Sequence, residues 1–194
     1  MNYISKMIKK HKQRKKYKEY INIHKENILK AYFEMIRCKD LEWIIQDPAI
    51  MKALWYRALE HDDSKFDEEE FEPYRKYFYP IDEEEKENAK EDFQKAWEHH
   101  KQVNDHQWEH RIEFDDNKFS IDTELACLEN IMDWLAMGYY FHNRPSDYYD
   151  AHKEEINLPK KQKDFIEKCI YQGIDKQYLI NRKKVADNEI SEEE

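Results

Sequence analysis

Glycine is nearly missing from this chain: two glycines and five prolines interrupt 194 residues. Glycine supplies the positive-φ corners that β-hairpins and tight loops need, and proline supplies their fixed angles. A chain poor in both cannot turn sharply and often, so its residues belong in long helices. Glu and Lys, both strong helix formers, are abundant, and no segment alternates apolar and polar residues for more than a few positions. The sequence predicts an all-α fold, a bundle of six to eight helices.

Charged residues make up 39% of the chain and aromatic residues 14%. That polarity would suit a disordered polypeptide, but five Trp, fourteen Tyr and nine Phe can build a dense core from few positions. The length suits one domain with modest extensions. No apolar run approaches the roughly 18 residues of a membrane-spanning helix, and the N-terminus lacks the apolar stretch of a secretory signal. Cys38, Cys127 and Cys169 are far apart and form no C-x-x-C pair, so they read as reduced core thiols of a cytoplasmic protein.

Helical periodicity is clearest at Ile21, His24, Ile28, Ala31 and Met35, which share one face. Asp47-Pro48 starts a second helix, with Asp as the cap and Pro in the first position; it carries Leu54 and Ala58 and delivers His61-Asp62 at its end. Residues 67–91 are acidic and are expected to face solvent, broken by Pro73 and Pro80. The aromatic-basic run Tyr74-Arg75-Lys76-Tyr77-Phe78-Tyr79 between those prolines reads as core packing rather than as a base-stacking surface. Asp82 opens a helix with Phe93, Ala96, Trp97 and His100 on one face, ended by Asn104-Asp105. Ile121 opens another, running to about Gly138, with Leu125, Leu128, Met132 and Leu135 on its core face and Asp133 beside them. Further helices begin at Pro145 and near Pro159.

The chemistry concentrates at His61-Asp62-Asp63-Ser64-Lys65. A His and an Asp side by side are two metal ligands projecting from one helical turn, and the Lys lies one turn further along. Alone, His24 on its apolar face reads as a hydrogen-bonded core histidine, and Asp133 as a carboxylate in need of a partner. A divalent ion would satisfy all of them, since imidazoles and carboxylates are its natural ligands. His99 and His100 point about 100° apart on a helix. His100 shares the face of Phe93, Ala96 and Trp97 and turns inward; His99 lies on a more exposed edge. His106 follows the break at Asn104 and is aimed independently.

The order His24 … His61-Asp62 … Asp133 resembles the HD superfamily of metal-dependent phosphohydrolases, and His61-Asp62-x-x-Lys65 resembles the form in which the Lys contacts substrate phosphate. The chain also resembles a narrower family of bacterial and phage proteins, the domain of unknown function DUF5662. The marks are His61-Asp62-x-Ser64-Lys65-Phe66, Glu70-Phe71-x-Pro73-Tyr74, Ala96-Trp97-x-His99-His100, Asn104-x-His106-x-Trp108 and Asp133-Trp134-x-Ala136-Met137-Gly138, over roughly residues 20–156. Gln107 stands where that pattern calls for a second His, which moves the role of the position to His110 or removes it.

The resemblance implies an HD-like metal-binding helical domain at 21–156, preceded by a basic N-terminal arm or helix at 1–20 and followed by a C-terminal helix and acidic tail at 157–194. It implies one or two divalent ions, with Mn, Fe, Mg, Co and Zn not distinguished. They would be held by His24, His61, Asp62, His100, His106 and Asp133. Asp62, Lys65, His100 and His106 would be catalytic, and Lys65, His99, Asn104 and Trp108 would contact substrate. The activity implied is hydrolysis of a nucleotide or another small phosphate ester. Two alternatives share the scaffold: an HD-type di-iron oxygenase, and a non-catalytic phage accessory protein that binds a nucleotide or a partner, which would place the chain in the cytoplasm of a bacterial host.

Net charge is −10, yet residues 1–20 carry eight Lys/Arg and one Glu, while Asp187 to Glu194 carry five acids and no base. A basic arm is one reading for contact with nucleic acid or anionic lipid. The favoured reading is a solvated helix face that pairs with the chain's own acidic surface, or with that of a second subunit in a homo-oligomer.

Overall fold

A computed structural model describes residues 3–115, 117 and 119–179 of the chain. Among them are nine α-helices: α1 (Tyr3–Arg37), α2 (Glu42–Ile45), α3 (Pro48–Glu60), α4 (Glu68–Phe78), α5 (Glu83–Asn88), α6 (Lys90–Val103), α7 (Ile121–Phe141), α8 (Pro145–His152) and α9 (Lys160–Cys169). No strand occurs among the described residues. The fold is all-α, as its scarcity of glycine requires. Two short helices, α2 and α5, bring the count above the expected six to eight. The acidic tail lies outside the described residues.

The bundle is organised on α7. Thirteen of its 21 residues are buried, so it is covered on nearly every side, as a central helix must be. Ser120 caps it, accepting from the backbone N–H of Thr123. α1 lies against it, and its buried stripe runs Tyr17, Ile21, His24, Ile28, Ala31 and Met35, with Tyr17 and Ile21 packing on Tyr74 of α4 and Ala96 of α6. The stripe has an alternating 4-3 spacing, the seam of a helix packed lengthwise on its partners. The basic segment and the apolar one are a single 35-residue helix. In its first half Arg14 pairs with Glu72 on α4, and Lys10 lies 3.9 Å from the same carboxylate. Exposed pairs of this kind add little stability. α3 starts as its sequence predicts, with Asp47 accepting from Ala49 N–H at 2.8 Å and Pro48 in the first turn.

Two expectations fail around α4. Pro73 does not break the chain but lies inside the helix, where it removes a backbone bond at a penalty of about 3 kcal/mol. Nor is the acidic stretch all solvent-facing: Glu70 and Arg75 are completely buried. The two observations have one cause. Glu70 bonds to two histidines of α6, and Arg75 forks onto Glu85 at 2.7 and 2.9 Å. These tertiary bonds hold α4 helical through the proline. The helix opened by Asp82 is likewise broken once, at Ala89, into α5 and α6.

No described helix is long and apolar enough to cross a membrane. The three cysteines are buried and unpaired.

Both glycines sit where another part of the chain presses in. A Cβ on Gly138 would lie 2.6 Å from the backbone oxygen of Asn143, and one on Gly173 would lie 2.6 Å from Leu41 Cδ2. Gly138→Ala is expected to destabilise by about 1–3 kcal/mol because a backbone carbonyl cannot swing aside. A thermal melt about 2–12 °C lower checks it.

Candidate metal centre

Three helices and two connecting turns meet at one buried point. His24 reaches it from the middle of α1, Asp133 and Glu129 from successive turns of α7, and His100 from α6. His61 and Asp62 do not stand on a helical turn, as the spacing suggested. α3 ends at Glu60; His61 is extended at ψ 127 and Asp62 adopts a left-handed backbone at φ 57, ψ 23. Outside glycine that conformation is tolerated best by Asp and Asn. The reversal turns the Asp62 carboxylate inward between α1, α6 and α7. A 3₁₀ turn, Asp63–Phe66, then folds Lys65 back so that its Nζ lies 2.5 Å from Asp62 Oδ2.

The donors form two triads. In the first, His24 Nε2 and His61 Nε2 are 3.3 Å apart, and each lies 3.5 Å from Asp62 Oδ2. Asp133 Oδ1 approaches the same pair, 3.3 Å from His24 and 3.8 Å from His61. In the second, Asp62 Oδ1 lies 3.3 Å from His100 Nε2 and 3.6 Å from His106 Nε2. Ligands about 2.1 Å from one ion stand about 3.0–3.4 Å apart in octahedral or tetrahedral geometry. Both triads are compact enough to hold an ion, and Asp62 offers one oxygen to each.

The orientation of the imidazoles supports that fit. His61 Nδ1 lies 2.8 Å and His106 Nδ1 3.2 Å from Glu129 Oε1. His100 Nδ1 lies 2.9 Å from Glu70 Oε2. An Nδ1–H donated to a carboxylate fixes the tautomer and leaves the Nε2 lone pair facing the cluster, the arrangement of metal-ligating histidines. Asp62 Oδ1 is buried without a hydrogen-bond partner, and such an atom calls for a cation or a donor. Asp62, Glu70 and Glu129 are buried carboxylates, with Lys65 and Arg57 the fixed cations beside them.

Titration follows the same pattern. Burial alone would raise the Asp62 carboxyl; His61, Lys65 and the other imidazoles outweigh it and hold it well below the usual range. Burial likewise opposes ionisation of Asp133, and His24 and His61 overcome it. His61 is the converse: burial disfavours its charge, yet Asp62, Asp133 and Glu129 push it up to about 10. Anionic oxygen gathered at this density draws positive charge to itself.

Of the residues selected from sequence, His24, His61, Asp62, His100, His106 and Asp133 come together, with Lys65 at their edge. Trp108 joins Lys65, His24, His100 and Asp133 in lining a cleft of about 260 Å³, many times the space one water needs. His99 and Asn104 do not line it. His99 bonds Glu70 Oε1 from the outer side at 2.9 Å. Asn104 ends α6, donating to Ser64 Oγ at 3.0 Å and to His100 O at 2.9 Å, so it braces the turn that carries Lys65. The role of position 107 does not pass to His110, which is exposed and bonds Lys101 O. Gln107 itself points inward, its Nε2 2.9 Å from His106 Nε2.

Sequence reasoning missed Glu129 and the role of Glu70. Glu129 lies four residues before Asp133, one turn away on the same helix, and that spacing was the available signal. It also accepts from Arg57 Nε at 2.5 Å.

These features define a helical-bundle protein built around a buried histidine–carboxylate cluster with the donor set of a metal centre. The chain belongs to the family of unknown function DUF5662, whose model matches residues 13–172. No curated protein and no solved structure matches it.

Proposed function

We propose that the protein is an HD-type metal-dependent phosphohydrolase acting on a nucleotide or another small phosphate ester. One observation carries the reading: residues scattered over more than a hundred positions, in the order His24, His61-Asp62, Asp133, converge on a single buried point with their donor atoms facing one another. His24, His61, Asp62 and Asp133 would hold one ion, and Asp62, His100 and His106 a second. The imidazole-rich set suits Mn, Fe, Co or Zn better than Mg, which favours oxygen. A divalent ion so held supplies an acidified water and polarises a phosphoryl oxygen.

The protein's own groups do the rest. Lys65 is kept charged because Asp62 and Asp133 outweigh the effect of its burial. Its ammonium lines the cleft and neutralises charge on the phosphoryl oxygens as the leaving group departs. His100 faces the same cleft; with a single ion bound at His24, His61, Asp62 and Asp133, it would instead be free to hand a proton to the leaving oxygen. Glu129 and Glu70 fix the imidazoles, and the aromatic walls of the cleft, Trp97, Trp108 and Trp134, exclude bulk water.

The test is metal analysis of the purified protein followed by phosphate release from a nucleotide panel, run with and without oxygen. Release that persists anaerobically and stops on chelation supports hydrolysis. Turnover that needs oxygen and iron would instead identify the di-iron oxygenase, which the four clustered histidines would also serve. A metal-free protein indifferent to chelators would exclude both.

Glu129→Gln tests the supporting shell. It keeps the shape but removes the charge that orients His61 and His106. Metal affinity is expected to fall about 10–100-fold, read by competition with a chromophoric chelator.

A further inference from the structure

The first turns of α1 stand clear of the bundle. Every residue from Tyr3 to Lys12 is exposed. Lys10, 3.9 Å from Glu72, and Gln13, donating to Pro80 O at 2.8 Å, tie the helix to the rest of the chain.

This free arm is divided lengthwise into two faces. At about 100° per residue, Tyr3, Ile4, Met7, Ile8 and His11 share an arc of roughly 140°. Ser5, Lys6, Lys9, Lys10 and Lys12 fill the remainder. The apolar arc is not the buried seam carried forward. Extended at the same periodicity, the seam of Tyr17 and Ile21 runs through Gln13, Lys10 and Lys6, and the contacts of Lys10 and Gln13 follow that line. The apolar strip lies to one side of it, with Tyr3 76%, Ile4 68%, Met7 56% and Ile8 62% exposed. Large apolar side chains grouped in water and rimmed by charge mark a surface that something covers.

The charge is as one-sided as the packing. Tyr3 to Lys18 carries eight Lys/Arg and no acid. Lys10 and Arg14 share Glu72. Lys6, Lys9, Lys12, Lys15, Lys16 and Lys18 have no acidic partner among the described residues. Pairing with the chain's own acids therefore accounts for two of the eight.

We propose that this arm docks the protein on a membrane surface rich in anionic phospholipid. A helix with an aliphatic strip and a wholly basic opposite face lies flat at such an interface, its strip among the acyl chains and its lysines among the phosphates. Arg14, Lys15 and Lys18 continue the apolar arc at its inner end, so headgroup phosphates meet cations where the strip stops. The contact is with the surface, since no described helix can span. A nucleic acid would use the lysines and leave the aliphatic strip in water. A second copy would need far more area: one face of an arm about 15 Å long supplies a small part of the roughly 800 Å² per partner that a stable dimer buries.

The test is co-sedimentation of the full chain with vesicles of equimolar phosphatidylglycerol and phosphatidylcholine, against vesicles of phosphatidylcholine alone. Binding is expected to the anionic vesicles only, and to weaken as salt rises. Lys6→Gln, Lys9→Gln and Lys12→Gln together should weaken it about 100-fold, from about fivefold per lysine. Ile4→Ser with Ile8→Ser should weaken it about tenfold or more while leaving every charge in place. Both variants should melt as the parent does, because the replaced side chains are exposed and pack on nothing. The proposal is overturned if the anionic vesicles sediment none of the protein. It is overturned if the serine pair binds them as the parent does, which reduces the arm to a basic patch for any polyanion, a DNA duplex included. It is also overturned if light scattering shows a dimer that the serine pair dissociates, which assigns the strip to a second copy.

Discussion

Asp62→Asn is expected to abolish metal binding and to lower phosphate release about 10³-fold or more, equivalent to about 4 kcal/mol of barrier. Each Asp62 oxygen faces a different triad, Oδ2 toward His24 and His61 and Oδ1 toward His100 and His106. Asn keeps the size of the side chain and tolerates the left-handed backbone, so the bundle should survive. It replaces an anionic oxygen with an amide nitrogen on one side and removes the negative charge from both. Lys65 also loses its closest counter-charge. The checks are metal stoichiometry, phosphate release and a circular dichroism spectrum confirming retained helix. An Asp62→Asn variant that still carries metal and turns over would refute the assignment.

Chelation should lower the thermal midpoint by roughly 8–16 °C, and adding the metal back should restore it. An ion bound a thousandfold more tightly than its free concentration requires stabilises the folded state by about 4 kcal/mol. For a chain of this size each kcal/mol moves the midpoint by about 2–4 °C. The direction follows from the site itself, where several buried carboxylates face few fixed cations and an ion would relieve their repulsion. The Asp62→Asn variant supplies the control, since its midpoint should not respond to chelator. Repeating the melt with Mn, Fe, Co, Zn and Mg ranks the metals. A midpoint unmoved by chelator and by every metal would remove the metal centre from the account.

Much of the fold could be read from local pattern, because helix formation leaves local traces. The apolar stripe of α1 repeats at helical spacing, and Asp47-Pro48 satisfies the first turn of α3. The 100° between His99 and His100 was enough to turn the right one inward. What could not be read depended on partners distant in sequence. Pro73 forbids a helix by local rules, and only the contacts of Glu70 and Arg75 with α5 and α6 override it. Those two residues look like ordinary surface charges amid acids; their burial is decided by His100 and Glu85, many residues away. Glu129 went unnoticed because it is one of four carboxylates on α7 and acquires meaning only when His61 and His106 arrive beside it. The end of α3 was equally hidden: without a glycine to mark it, His61-Asp62 reads as one more helical turn. Asn104 was placed correctly at a helix end, but its contacts make it a brace rather than a wall of the cleft.

The left-handed backbone at Asp62 also restricts what can replace it. Glycine, asparagine and aspartate tolerate that geometry, and a branched or bulky residue would damage the turn along with the ligand. Asparagine is reached from aspartate by a single nucleotide change. A descendant that keeps the bundle and its pockets but has lost its chemistry is therefore one codon step away. The same position that completes the centre is where the fold can most easily outlive it.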